Sequence, residues 1–168
     1  PMYQAQTKIK QIGRSLNKTK IPFIFSDQSY LDETRLPELY RSADCFVAPT
    51  KGEGFGFTIG EAMACGIPVM VPKNPEAGYM DFVGDCPYWI KITDKEQADR
   101  RFFCEGNMMP GIDMEDLKKQ LRSVYEQWKK DKTVLKKKGQ ECRKQIEPVT
   151  WEKCATKMME VLENDFKE

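Results

Sequence analysis

The chain has 168 residues and carries 27 Lys and Arg against 26 Asp and Glu, a net charge of +1. That length holds one domain with a real core and excludes two full-sized ones, while a charge so near zero gives no field on which to argue nucleic acid or an anionic membrane as partner. Six cysteines without a Cys-x-x-Cys pair, the lack of any histidine, and apolar runs far shorter than the roughly 20 residues that span a bilayer lead us to expect a soluble, cytoplasmic protein with reduced thiols, and they exclude Ser-His and Cys-His nucleophile pairs.

In chain order, residues 1–16 read as a weak amphipathic helix through Ile9, Ile12 and Leu16. The chain is therefore expected to enter its sheet in the middle of a βα unit. Apolar runs over 21–25 and 45–48 read as strands on either side of a helix carrying Leu36, Leu39, Tyr40 and Ala43. A glycine-rich turn over 52–56 leads into a helix over 58–65 that Gly66 ends, and the run 67–71 is a further strand closed by Pro72. Strands that are apolar throughout, alternating with helices, predict a parallel sheet covered on both faces, an α/β three-layer doubly wound sandwich.

Residues 88–92 are expected to be a strand, with the charged stretch 93–101 and the run 106–110 as loop. Asp113 is an expected N-cap, with Glu115 and Asp116 in the first turn of a helix whose apolar face is Leu117, Leu121, Val124, Tyr125 and Trp128. Lysines 129, 130, 132, 136, 137 and 138 on or just after that helix read as a solvated face, the competing reading being a docking surface for an acidic membrane or protein. A last helix is expected over 150–166, with Trp151, Ala155, Met158, Leu162 and Phe166 turned inward. The whole chain is then one domain, with an α/β core over 1–110 and C-terminal helices over 111–168.

Chemistry concentrates in residues 49–71. A glycine-rich loop between a strand end and a helix start is where an open α/β sheet binds ligands. Gly54 and Gly56 let the backbone approach a ligand closely, and the helix behind them turns free N–H groups and a positive dipole end toward a pyrophosphate. Glu53 and Glu61 would repel that anion unless they bond to something else, and vicinal hydroxyls of a ribose or hexose suit a carboxylate well. Read one at a time, Glu53 as a helix cap and Glu61 as a dipole partner explain as much. Replacing Gly56 with Val is expected to block a ligand while leaving the fold intact.

The run Pro49-Thr50-x-x-Glu53-Gly54-Phe55-Gly56, continuing through Glu61-Ala62-Met63-Ala64-Cys65-Gly66 to Pro68-Val69, resembles the signature of glycosyltransferase family 4, the glycosyl transferases group 1, which are retaining enzymes of GT-B fold. The helix and strand over 36–48 and the Trp151-Glu152-Lys153 run are also similar to that family. The resemblance implies the C-terminal, Rossmann-like, donor-binding half of such an enzyme, transferring sugar from a UDP- or GDP-sugar to a hydroxyl acceptor. It implies Glu53 as the catalytic carboxylate beside the sugar ring, Glu61 on the ribose diol, and Gly54, Phe55, Gly56, Phe57, Thr58 and Ile59 as the rest of the nucleotide-sugar site, the amides near Thr58 and Ile59 meeting the diphosphate. No cofactor or metal is implied.

Family members bring a Gly-Arg and a Lys from the first βα unit of this domain to the diphosphate, whereas Gly13-Arg14 here stands in a helical pattern, so the clamp is expected to be incomplete. Asp81 stands where a glutamate is usual, and Cys86-Pro87-Tyr88-Trp89 replaces the glycine-rich strand after it. The acceptor-binding domain, normally N-terminal, would come from a longer protein or a partner chain. The chain by itself is expected to be inactive, and the competing function is a module that binds a nucleotide or nucleotide-sugar without transferring anything.

Overall fold

The computed structural model describes residues 34–98 and 106–165, together with positions 7 and 11. The expected strand over 21–25, the helix over 1–16 apart from Thr7 and Gln11, which are helical, Gly13-Arg14 and Phe166 all lie outside the described residues. The elements that follow all belong to the compact unit that begins at Thr34.

Three strands, β1 (Phe46–Val47), β2 (Val69–Pro72) and β3 (Tyr88–Ile90), form a parallel sheet in that spatial order. Phe46 lies opposite Val69 and Met70 opposite Tyr88, and the ladder is extended by Ala48 N–H to the Met70 carbonyl at 3.0 Å. Successive side chains of a strand point to opposite faces, and β2 is buried at every position. Val69 and Val71 join Ile59, Met63, Tyr79 and Phe82 on one face, while Met70 joins Ile90, Leu117, Val124 and Leu135 on the other. Both faces are covered, as the unbroken apolar run predicts. Each fully buried aliphatic of β2 contributes about 1.5–3 kcal/mol relative to exposure.

The helices in order are α1 (Leu36–Arg41), α2 (Phe57–Ala64), α3 (Met80–Val83), α4 (Met114–Lys130), α5 (Lys132–Ile146) and α6 (Trp151–Asp165). Gly66 at φ +76 ends α2, with Ile67 N–H on the Ala62 carbonyl and Gly66 N–H on that of Met63, the double bond of a Schellman stop. Asp113 caps α4 as expected, accepting from the amides of Glu115 and Asp116 at 3.0 and 2.9 Å.

Five expectations need correction. The strand expected over 88–92 breaks at Lys91, because the start of α4 takes that residue's backbone: Lys91 N–H donates to the buried Asp116 carboxylate at 2.8 Å, and its carbonyl accepts from Asp113 N–H at 3.0 Å. Beyond it the stretches expected as loop pair into an antiparallel ribbon, β4 (Ile92–Gln97) with β5 (Met108–Ile112). β4 is exposed from its second residue on, so it lacks the alternation that marks a half-buried strand.

The lysine-rich run is a separate helix, α5, which Asp131 starts by accepting from Thr133 N–H at 2.9 Å. Its buried residues, Leu135, Gly139, Cys142 and Ile146, follow helical spacing. Lys132 and Lys138 lie over the rings of Trp128 and Tyr88, 4.8 and 5.4 Å from the centroids, so those two stems partly serve the fold. In α4, Leu117 and Val124 are buried whereas Leu121 and Tyr125 are exposed. The last correction is α6: the helix forms, but Trp151, Ala155, Met158 and Leu162, expected inside, are exposed, Trp151 by 79 %.

Among the described residues the five cysteines are free thiols, and no helix is long and apolar enough to cross a membrane.

Candidate functional site

The loop over 49–56 leaves the end of β1 and is fixed by contacts that no local pattern announces. Thr50 closes a tight turn, its hydroxyl donating to the Gly52 carbonyl at 2.8 Å. Asn74, almost wholly buried, donates from Nδ2 to the Lys51 carbonyl at 3.2 Å while its Oδ1 accepts from Glu76 N–H at 3.1 Å. Gly78 N–H donates to the Glu53 carbonyl at 3.0 Å, and a Cβ on Gly78 would overlap the Gly54 carbonyl. The loop over 73–79 is therefore a backing plate for the glycine-rich loop. Asn74, Gly78 and Tyr79 escape a reading by motif, the one available signal being the turn-forming Asn74-Pro75 pair.

Gly56 is the N-cap of α2 at φ +90, a conformation that costs an L side chain, and it is buried. A Cβ there would stand 3.2 Å from Tyr79 Cβ and 3.3 Å from Ile59 Cδ1. The expected effect of Gly56→Val is thereby revised: the change should destabilise the fold by about 1–3 kcal/mol through strain at a left-handed position, read as a lowered midpoint in urea. An unaltered midpoint would restore the simpler picture of a residue that only leaves room for ligand.

The Gly56 carbonyl accepts from the amides of Ile59 and Gly60, both at 3.0 Å, and Ile59 is fully buried. Ile59, expected to offer its amide to an anion, thus spends it in the first turn and its side chain in the core. The amides of Phe57 and Thr58 are the first two of the helix and have no acceptor within it, and both residues are exposed.

The two glutamates stand in different surroundings. Tyr40 of α1 donates its hydroxyl to Glu61 Oε2 at 2.7 Å. Burial, then that hydrogen bond and the charge behind it, push the Tyr40 phenol well above its ordinary range, so it stays an O–H donor. One oxygen of Glu61 is thus held, and the other has no hydrogen-bond partner among the described residues. Glu61 also lines a groove of about 580 Å³ with Phe55, Phe57, Gly60, Ala64 and residues of the α5–α6 junction, Trp151 among them. Phe55 and Phe57 meet there at 4.9 Å between centroids, and Phe55 reaches Phe82 at 5.0 Å.

Glu53 does not line that groove. Its neighbour is Tyr79, whose phenol is pushed up to about 12 by burial first and by the Glu53 charge second, and which donates to the Pro72 carbonyl at 2.7 Å. Among the described residues the Glu53 carboxylate has no hydrogen-bond or ion-pair partner. Asp81, exposed in the first turn of α3, is likewise without one among those residues.

The family model described as glycosyl transferases group 1 matches residues 8–142. Similar proteins include the lipopolysaccharide core biosynthesis mannosyltransferase LpsB of Rhizobium meliloti (strain 1021), 54 % identical over 39 residues that cover 23 % of this chain and 11 % of the relative. The O-antigen chain mannosyltransferase B of Escherichia coli is 51 % identical over 41 residues, 24 % of this chain and 11 % of that protein. The mannosylfructose-phosphate synthase of Agrobacterium fabrum is 37 % identical over 68 residues, 40 % of this chain and 13 % of its own. The matched stretch spans at most 13 % of any of these relatives.

Proposed function

The chain belongs to the glycosyl transferases group 1, and from that premise we propose that residues 49–79 form the donor side of a retaining transfer of a hexosyl group, mannosyl by analogy with the relatives, from a nucleotide-sugar to a hydroxyl acceptor. The observation that carries this reading is the pair of acceptor groups left over by the fold. Among the described residues the Glu53 carboxylate has no hydrogen-bond or ion-pair partner, and Glu61 keeps one oxygen beyond the one Tyr40 holds. Unsatisfied carboxylate oxygens beside an open helix N-terminus suit a ligand that is anionic in one part and hydroxyl-rich in the others.

In this reading Glu61 accepts from the ribose hydroxyls, and the Phe57 and Thr58 amides face the diphosphate. Glu53 stands beside the sugar, where a carboxylate stabilises positive charge developing at the anomeric carbon as the diphosphate departs. The terminus of α2 supplies the positive potential at the leaving group, so the reading calls for no resident metal. The acceptor side comes from a further domain or a partner chain, and this chain alone holds donor without turning it over. Free thiols fit a cytoplasmic setting.

Titration with UDP, GDP and their hexose conjugates tests the assignment. Glu61→Ala should weaken nucleotide binding by about 1–3 kcal/mol, and Tyr40→Phe, which only frees the carboxylate to turn, by about 0.5–1.5 kcal/mol. Identical isotherms for Glu61→Ala and the parent chain would reduce Glu61 to a partner of Tyr40.

A further inference from the structure

The β4–β5 ribbon has the features of an accessory and the contacts of a structural part. Two-stranded ribbons are marginal by themselves, and β4 buries almost nothing of its own. Yet its side chains run to the two loops that make the site. Glu96 forms an ion pair with Lys51 of the glycine-rich loop, and Lys95 forms one with Glu76 of the backing loop at 2.7 Å. Adjacent strand residues point to opposite faces, which is how neighbours on one strand serve two different loops.

The register sharpens this. Glu96 lies directly opposite Met109 of β5, so the two share a face of the ribbon. Both meet the same dipeptide: Glu96 holds Lys51, and the Met109 methyl lies where a Cβ on Gly52 would come within 2.6 Å of it. The next residue is Glu53. The pairing register shifts between Ile92 and Lys95, an irregularity of the kind that re-aims strand side chains. Ion pairs this exposed, with side chains about half open to solvent, add little to global stability, so their convergence on the site is better explained by position than by strength.

We propose that the β4–β5 ribbon is the positioning element of the glycine-rich loop, Glu96 and Met109 together setting Lys51 and Gly52 and thereby the place of the Glu53 carboxylate. Glu96 and Met109 are positioning residues and touch no substrate. The role rests on the donor-site reading given above. Because Glu53 serves the sugar and Glu61 the ribose, a loosened ribbon should be felt by nucleotide-sugars and not by bare nucleotides.

The test is a charge exchange in the full chain, with amide hydrogen exchange over 50–56 and titration of GDP-mannose and UDP-glucose against GDP and UDP as readouts. Glu96→Lys should speed exchange in the loop about tenfold by favouring its local opening and weaken the sugar conjugate that binds about fivefold, a coupling of the size found between contacting residues. The bare nucleotides should be unaffected and far-UV circular dichroism unchanged. Lys51→Glu should act alike, and the double exchange Lys51→Glu with Glu96→Lys should return both readouts to within about twofold of the parent. Loop exchange that ignores Glu96→Lys overturns the proposal whatever the ligands do, and so does a double exchange that rescues nothing, since Lys51 would then be acting on the ligand directly. If the parent chain binds no donor although loop exchange still responds, the donor-site reading falls and the positioning role with it.

Discussion

Gly139→Ala is expected to destabilise the protein by about 2 kcal/mol, against the sign that helix propensity alone would give. Alanine in a helix interior is favoured over glycine by about 1 kcal/mol, so an uncrowded site in α5 should gain. Position 139 is crowded by backbone: a Cβ there would overlap the Gly66 carbonyl and stand 3.1 Å from Pro68 Cδ. Neither can rotate away, so the methyl must lift α5 off the turn that ends α2, at an overpacking cost of about 1–3 kcal/mol with lost contacts in addition. Gly60→Ala is the control, because its Cβ would meet Ile146 Cδ1 at an ordinary 3.6 Å and should gain up to about 1 kcal/mol. Chemical denaturation of both variants decides the matter. Stabilisation by both would mean that α5 does not approach α2 as closely as described.

Gly78→Ala is expected to be worse for binding than for folding. Its methyl would overlap the Gly54 carbonyl, and the loop over 52–56 can yield because Gly54 itself has no neighbour within 4 Å on its Cβ side. The displacement also stretches the bond from Gly78 N–H to the Glu53 carbonyl, so the carboxylate moves with it. We expect a stability loss of about 1–2 kcal/mol, which is roughly 2–8 °C in melting temperature for a domain this size, and affinity for nucleotide-sugar lowered by about tenfold or more, as a misplaced binding group permits. Thermal melting and calorimetric titration report the two separately. Full affinity alongside a depressed melting point would show that the backing loop supports the fold and not the site.

What the sequence makes legible follows from what each signal measures. The runs over 45–48 and 67–71 locate β1 and β2 because a strand with core packed against both faces has nothing polar in it, and Gly66 locates the end of α2 because the stop needs a left-handed residue. Asp113 announces its helix through a side chain acting two and three residues away. These are local causes. The ribbon has none: its pairing rests on backbone bonds and on ion pairs to Lys51 and Glu76, far off in sequence.

The helix α5 was legible in principle, since Leu135, Gly139, Cys142 and Ile146 fall on one face, but six lysines nearby draw attention to charge and away from spacing. In α6 the error runs the other way. Trp151, Met158 and Leu162 share a periodic face, and periodicity says that a face exists without saying that anything lies against it. The site divides similarly. The motif locates Glu53 and Glu61, whereas Tyr40 is indistinguishable in sequence from a core residue of α1, and Asn74 and Gly78 matter only because two loops meet.

The closure of α5 over α2 also bears on the order in which the protein can assemble. Cys142 reaches back to the carbonyl of Cys86, 56 positions earlier, and Ile146 packs with Ile59 and Met63 in one core cluster. A growing chain that has just emerged through α2 and β2 therefore leaves the part of that helix that meets Ile146 uncovered until residues near 146 are synthesised. At translation rates of about 5–20 residues per second this interval lasts several seconds. The glycine-rich loop, backed early by residues 73–79, is complete long before the groove beside it gains its α5–α6 wall.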